Sequence, residues 1–302
     1  MAPGSPRHYP PTNCRYLWDN MRRLSSEDHA GKDRIDGSSS SFPAFEVIPG
    51  ALASGLLILC DHASNAIPPE YDDLGLPREQ LERHIGYDIG AEGVTRKLAA
   101  ALDCPAVMSR FSRLLIDPNR GEDDPTLVMR LSDGAVVPGN RHVDAQEIER
   151  RLDLYHRPYH RAIEAEIDRF LGAGVVPAIL SMHSYTPVWR GVPRPWHVAI
   201  LWDSDPRLTR ELIDALRAPG DLIVGDNEPY DGALRNDCMY RHGTVRGLAH
   251  TLLEIRQDLI ADETGQKLWA ERLAGLLPAI LAKPEMHERR AYGSRTGPVP
   301  PI

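Results

Sequence analysis

The sequence predicts an α/β fold with a largely parallel sheet covered by helices on both faces, and three observations lead there. Short β-type runs alternate with helical patterns from residue 56 to residue 282, the order that a sheet wound with helices produces. Several of these runs end in a polar residue, which is where open α/β sheets present functional groups. At 42% hydrophobic and 26% charged residues, the composition is that of an ordinary globular chain able to bury a core.

The elements follow in order. Leu56 to Cys60 is an apolar run, succeeded by Asp61-His62-Ala63-Ser64-Asn65 and the turn-forming Pro68-Pro69. A helical pattern covers Arg78 to Leu102. Within Gly86 to Leu102 the residues Val94, Leu98 and Leu102 recur at helical spacing and would pack on the sheet, with Asp88 near the N-terminal part. Ala106 to Ser109 is the next strand, and Ala145 to Leu171 the next helical pattern, in which Pro158 marks a first turn. Val176 to Met182 is a strand leading into His183, and Val198 to Trp202 is another. Arg207 to Leu216 reads as helix, and Leu222 to Val224 as a strand before the turn-dense loop Gly225 to Gly232. A strand from Ala249 to Ile255 and a helix from Gln266 to Ala282 complete the set.

Residues 1–42, with Pro10-Pro11 and the serine run Ser38 to Ser41, are too polar to offset the entropy of ordering and read as a flexible leader. The charged, proline-rich stretch 283–302 reads as a flexible tail, which leaves 43–282 as the catalytic domain. A net charge of -8, with 35 basic residues against 43 acidic ones and no basic stripe, argues against nucleic acid as a partner. No apolar run approaches the roughly 18 residues of a membrane span, and the N-terminus lacks the apolar centre of a signal peptide. Cys14, Cys60, Cys104 and Cys238 are scattered without C-x-x-C spacing, so reduced thiols and a cytoplasmic location are expected.

The residues suited to chemistry lie at the strand ends. His62 and His183 each follow an apolar run, a position where the strand fixes the backbone while the imidazole projects into a cleft. Two neutral imidazoles leave zinc its charge and call for a third ligand, commonly a carboxylate; Asp88 is the candidate, with Asn65 a turn residue or substrate contact. Glu254 stands in an apolar run, where a carboxylate is costly to bury. It is either a general base or the partner of Arg256 on the same strand face. Arg113 and Arg120 flank the turn Asp117-Pro118-Asn119, and they either bind a substrate carboxylate or stiffen the loop through Asp117. His156 and His160 share a helix face without the acid of a zincin motif, so His160 is structural or a hydrogen-bond donor at the site. Asn227 and Tyr230 lie in the 225–232 loop, a rim or a holder of substrate polar groups.

Taken jointly and in order, these segments resemble the N-formylglutamate amidohydrolase family over roughly residues 45–280. The match rests on the His62 loop with Pro68, Asp88, Arg113 with Asp117-Pro118-Asn119-Arg120, and Tyr155-His156-Arg157-Pro158-Tyr159-His160. It continues in Met182-His183-Ser184, Gly225 to Tyr230 and Glu254-Ile255-Arg256. His183-Ser184-Tyr185 and Glu254-Ile255-Arg256 are also similar to the His-Ser-Tyr and Glu-Leu-Arg segments of the zinc carboxypeptidases. That likeness implies a phosphorylase/hydrolase-like three-layer α/β/α sandwich with a mixed sheet, Zn2+ or another divalent metal on His62 and His183, and Glu254 as base. Where those enzymes place a ligating Glu three residues after the first His, this chain has Asn65, hence Asp88 as replacement.

The resemblance implies hydrolysis of an N-formyl or other N-acyl amino acid, such as N-formyl-L-glutamate to formate and glutamate. The expected roles are Glu254 as base, Arg120 or His160 stabilising the oxyanion, and Arg113 holding the carboxylate, with Asn65, Asn119, Asn227, Tyr230 and Arg256 as further substrate contacts. The His62-Ala63-Ser64-Asn65 loop and the cluster of Trp189, Trp196 and Trp202 count against glutamate itself and leave a related N-acyl amino acid as the other substrate. The alternatives are a non-catalytic sensor of an acylated amino acid and a metal-dependent deacetylase or carboxypeptidase.

Overall fold

The computed structural model describes residues 42–302, so the expected leader lies outside the described residues apart from Phe42. In chain order the strands are β1 (Phe45–Ile48), β2 (Leu56–Cys60), β3 (Ala106–Ser109), a two-residue pair β4 (Leu131–Ser132) and β5 (Ala135–Val136), and β6 (Ala178–Tyr185). A second two-residue pair follows, β7 (Val188–Trp189) and β8 (Val192–Pro193), then β9 (Val198–Leu201), β10 (Val224–Asp226) and β11 (His250–Arg256). The α-helices are α1 (Arg78–Leu81), α2 (Ala91–Leu102), α3 (Ala145–Arg151), α4 (Arg157–Gly172), α5 (Arg207–Arg217) and α6 (Glu263–Leu281).

Seven strands form one sheet in the order β1-β3-β2-β6-β11-β9-β10. It is mixed and mostly parallel: β1 runs antiparallel to β3 and β9 antiparallel to β11, while the other neighbours are parallel. Alternate residues of β2 show why its sequence is apolar throughout. Leu56, Ile58 and Cys60 enter the core formed with α2, α5 and α6, whereas Leu57 and Leu59 enter the core formed with α4. A strand with helices on both sides has no solvent face to make polar. Helices on both faces give the three layers expected.

Three expectations change in detail. The helical pattern from Arg78 to Leu102 is two helices, because the chain turns at Gly86 and Gly90 takes a left-handed conformation with φ of 82°. Asp88 therefore sits in the turn before α2 rather than on a helix, and its N–H donates to the His62 carbonyl at 3.0 Å. The pattern from Ala145 is interrupted by a π-turn over Leu152–His156, next to Pro158, which has no N–H to give to a regular helix. Edge strand β1 has no counterpart in the sequence reading: only four residues long and partly exposed, it lacks the apolar run that marks the central strands.

Residues 283–302, expected as a flexible tail, have contacts that hold them to the domain. Arg207 is buried beside Asp205 and donates to the carbonyls of Glu285 and Glu288, at 3.0 and 2.6 Å, and to that of Gly247 at 3.1 Å. Removing one partner of a buried pair strands the other charge, so Arg207→Ala is expected to destabilise the fold by about 3–5 kcal/mol. Urea denaturation of the variant and the parent chain measures this.

Candidate functional site

Strand ends deliver the polar groups to one place. Asp61 and His62 leave the end of β2, Ser181 and His183 lie in β6, and Glu254 in β11 is paired in register with His183. One oxygen of Asp88 stands 2.8 Å from His183 Nδ1 and 3.4 Å from His62 Nδ1. Ligand atoms of the three side chains lie within 4.8 Å of one another, and all three residues are buried.

The outer nitrogens of both rings are engaged. His62 Nε2–H donates to Asp117 Oδ1 at 2.7 Å, and His183 Nε2–H donates to Asp61 Oδ2 at 2.9 Å. A carboxylate on Nε2 fixes the tautomer and turns the Nδ1 lone pair inward. Arg113 Nη1 stands within hydrogen-bond reach of His62 Nδ1, at 3.3 Å, whereas the His183 Nδ1 lone pair and the Asp88 oxygen meet at 2.8 Å, a buried contact that calls for a cation between them, either a proton or a metal. A proton has that effect on the titration: although burial opposes it, the hydrogen bonds to Asp61 and Asp88 push the His183 imidazole well above its ordinary value. Burial also opposes ionisation of Asp88, yet the His62 and His183 imidazoles hold its carboxyl below the usual range. Two imidazoles and one carboxylate, each ring backed by a carboxylate, are a donor set that zinc takes.

Asp61 is the hub behind His183. It accepts from Tyr159 Oη at 2.8 Å and from Ser181 Oγ at 2.8 Å as well; His183 above all, with the Cys238 thiol and the His62 imidazole, brings its carboxyl down to about 2 against the effect of burial. Asp117 is shared: Oδ1 takes His62 Nε2, and Oδ2 takes Arg113 Nη2 at 2.7 Å. Arg113 in turn stands with Nη1 3.3 Å from His62 Nδ1 and 3.7 Å from Asp88 Oδ1.

Glu254 is not paired with Arg256. That arginine pairs with Asp258 at 2.7 Å and donates to the carbonyls of Arg194 and Trp196, so the ion-pair reading is replaced. Glu254 Oε2 is buried with no hydrogen-bond partner among the described residues. Burial, with the Asp88 charge close by, pushes its carboxyl up to about 7.

A cavity of about 420 Å³ joins these groups; His62, Asp88, His183, Glu254, Arg113, Arg120, Asn119 and Tyr230 all line it. Asn119 is also a structural residue, its N–H donating to Asp117 Oδ1 and its Oδ1 accepting from Cys238 N. Four expected contacts fall outside the lining. Asn65 donates to the Leu81 carbonyl at 3.2 Å, and Asn227 Oδ1 accepts from the N–H groups of Trp202 and Gly232, shaping the rim from behind. Arg256 is held as described above. His160 is buried against His242, Nδ1 to Nε2 at 2.8 Å. Of the three tryptophans, Trp202 borders this cavity, and Trp189 and Trp196 border another.

His160, Cys238 and His242 form a second buried trio with ligand atoms close together. The imidazoles are nearly coplanar, 25° apart, with centroids separated by 5.1 Å. That separation with a 2.8 Å N···N contact places the two nitrogens head to head, the geometry of an N–H···N hydrogen bond. Nitrogens engaged with each other in that hydrogen bond do not converge on a third point, so the trio is a poorer metal site than His62, Asp88 and His183.

The sequence reading missed the support provided by Asp61, Ser181 and Asp117. One signal was present: Asp61 and Asp117 each follow an apolar run, as His62 and His183 do. Their pairing with particular imidazoles depends on the fold.

The N-formylglutamate amidohydrolase family model matches residues 54–261. Among solved structures, a gene product of Agrobacterium tumefaciens is 32% identical, with a TM-score of 0.74, over 79% of this chain and 94% of its own. The N-formylglutamate amidohydrolase of Ralstonia eutropha JMP134 is 21% identical, with a TM-score of 0.59, over 79% of this chain and 97% of its own, a likeness of fold. No curated protein matches the chain.

Loss of a carboxylate behind a metal-binding imidazole costs roughly 10–100-fold in metal affinity. Were zinc held by this trio, Asp117→Asn and Asp61→Asn would weaken its binding by about that factor, measured by competition with a chromophoric chelator.

Proposed function

The chain belongs to the N-formylglutamate amidohydrolase family, and from that premise we propose that it hydrolyses the amide bond of an N-formyl or other N-acyl amino acid with a divalent metal, zinc first, on His62, Asp88 and His183. The observation that carries this reading is the confrontation of His62 Nδ1, His183 Nδ1 and Asp88 Oδ2, with both Nε2–H groups already used. A zinc ion there would polarise the amide carbonyl and ease deprotonation of water.

The protein's own groups account for the rest. Glu254 is the buried carboxylate on the same cavity, with one oxygen unengaged. Its raised proton affinity suits a group that takes a proton from the attacking water and passes it to the leaving amine. Arg113, fixed through Asp117 and turned into the cavity, holds the substrate carboxylate and so sets the amide in place. Arg120, which also lines the cavity, stands as the donor to the oxyanion. Among the described residues no helix is long and apolar enough to cross a membrane.

The test is metal content together with formate release from N-formyl-L-glutamate, before and after chelation. Chelator-sensitive hydrolysis of this or another N-acyl amino acid is expected; undiminished hydrolysis by fully demetallated protein would exclude the metal-dependent reaction. Glu254→Gln is expected to lower turnover by about 10²–10⁴-fold, the usual share of general acid–base catalysis, with metal content unchanged. Turnover near the parent level in that variant would remove Glu254 as base.

A further inference from the structure

The cavity extends beyond the space around His62, Asp88 and His183. Residues two apart on a strand share a face, and Glu254, Leu252 and His250 of β11 all line it. Four residues at about 3.3 Å each set His250 roughly 13 Å along the strand from Glu254. Leu201 of β9, paired with Leu252 in the sheet, lines the same stretch, as does Met239 from the segment between β10 and β11.

At the far end the histidine ring is partnered on both nitrogens: His250 Nδ1 contacts the Leu248 carbonyl at 2.8 Å and Nε2 contacts Thr244 Oγ1 at 3.1 Å. Gly243 lets that ring lie against the chain, since a Cβ there would come within 2.3 Å of it. The carboxylates bordering the cavity nearby are engaged too. Asp203 and Asp231 bind Arg295, and Asp237 accepts from the Tyr240 N–H at 2.7 Å. The apolar surface that this arm offers an incoming group is that of Leu252, Leu201 and Met239, beside the polar Asp237 and Thr244.

Arg113 lies at the other side. It contacts His62, which leaves β2, whereas β11 and β9 lie across β6 from that strand. The sheet order thus puts Arg113 and the stretch of Leu252 and Leu201 on opposite sides of β6, the strand that carries His183.

We infer that the apolar arm along β11 receives the acyl chain, and that the preferred substrate is an N-acyl amino acid with a medium-length aliphatic acyl group, hexanoyl over formyl. This rests on the reaction proposed above. Water adds its oxygen to the acyl carbon, the C–N bond breaks, and the proton carried by Glu254 goes to the nitrogen, giving a fatty acid and a free amino acid.

The test is kcat/KM of the zinc-loaded full chain on N-formyl, N-acetyl, N-butanoyl and N-hexanoyl forms of leucine and of glutamate. Burial of each added methylene is expected to raise kcat/KM about fourfold. Leu252→Trp, which fills the arm, is expected to lower the hexanoyl-to-formyl ratio of kcat/KM by about tenfold or more; Met239→Trp fills it from the covering segment should the first variant not fold. A series highest at formyl and falling with length overturns the inference and leaves the proposed hydrolysis standing. An unchanged ratio in the folded variants also overturns it, whereas no turnover of any of these substrates removes both.

Discussion

The carboxylates of Asp61 and Asp117 hold the Nε2–H groups of His183 and His62, and the chemistry of the centre depends on that constraint. An imidazole free to choose its tautomer would present a proton or a lone pair with little preference; a carboxylate on one nitrogen decides the matter. Both rings then offer Nδ1 to the same oxygen of Asp88. The sheet makes this possible by bringing β2 beside β6 and β6 beside β11 in parallel, so that the residues carrying the site occur at neighbouring positions. The turn at Gly86 and Gly90 adds Asp88 from a fourth direction.

The same arrangement sets the electrostatics. Asp61, Asp88 and Asp117 are buried together beside His62, His183 and Arg113, and such a cluster is tolerable only when each charge has partners. Asp61 meets this with four donors: Tyr159, Ser181, His183 and, through its thiol, Cys238. Glu254 departs from the rule, with one oxygen unengaged. Among the described residues it is the acid with a buried oxygen lacking a hydrogen-bond partner, and the proton-transfer role proposed for it rests on that departure.

Much of this was legible in the chain itself. Strand and helix alternation indicates the sheet, and the polar residue at the end of an apolar run marks His62, His183 and Glu254, because strand ends and catalytic positions coincide in open α/β folds. Asp88 was identifiable as an acid near the right ends but not in its setting, since helical spacing continues through the break that Gly90 makes. The partners of Arg256 and His160 were not legible. Arg256 meets Asp258 two residues on, as well as carbonyls far away in sequence, and His160 meets His242 across 82 residues. Local pattern does not encode such pairings.

His62, Asp88 and His183 are proposed to form a metal centre, and anomalous diffraction at the zinc edge from crystals grown with one equivalent of zinc is the decisive experiment. A single strong peak among His62 Nδ1, His183 Nδ1 and an Asp88 carboxylate oxygen is expected. A peak at His160, Cys238 and His242 with none at the first trio would contradict it, as would the absence of any bound zinc.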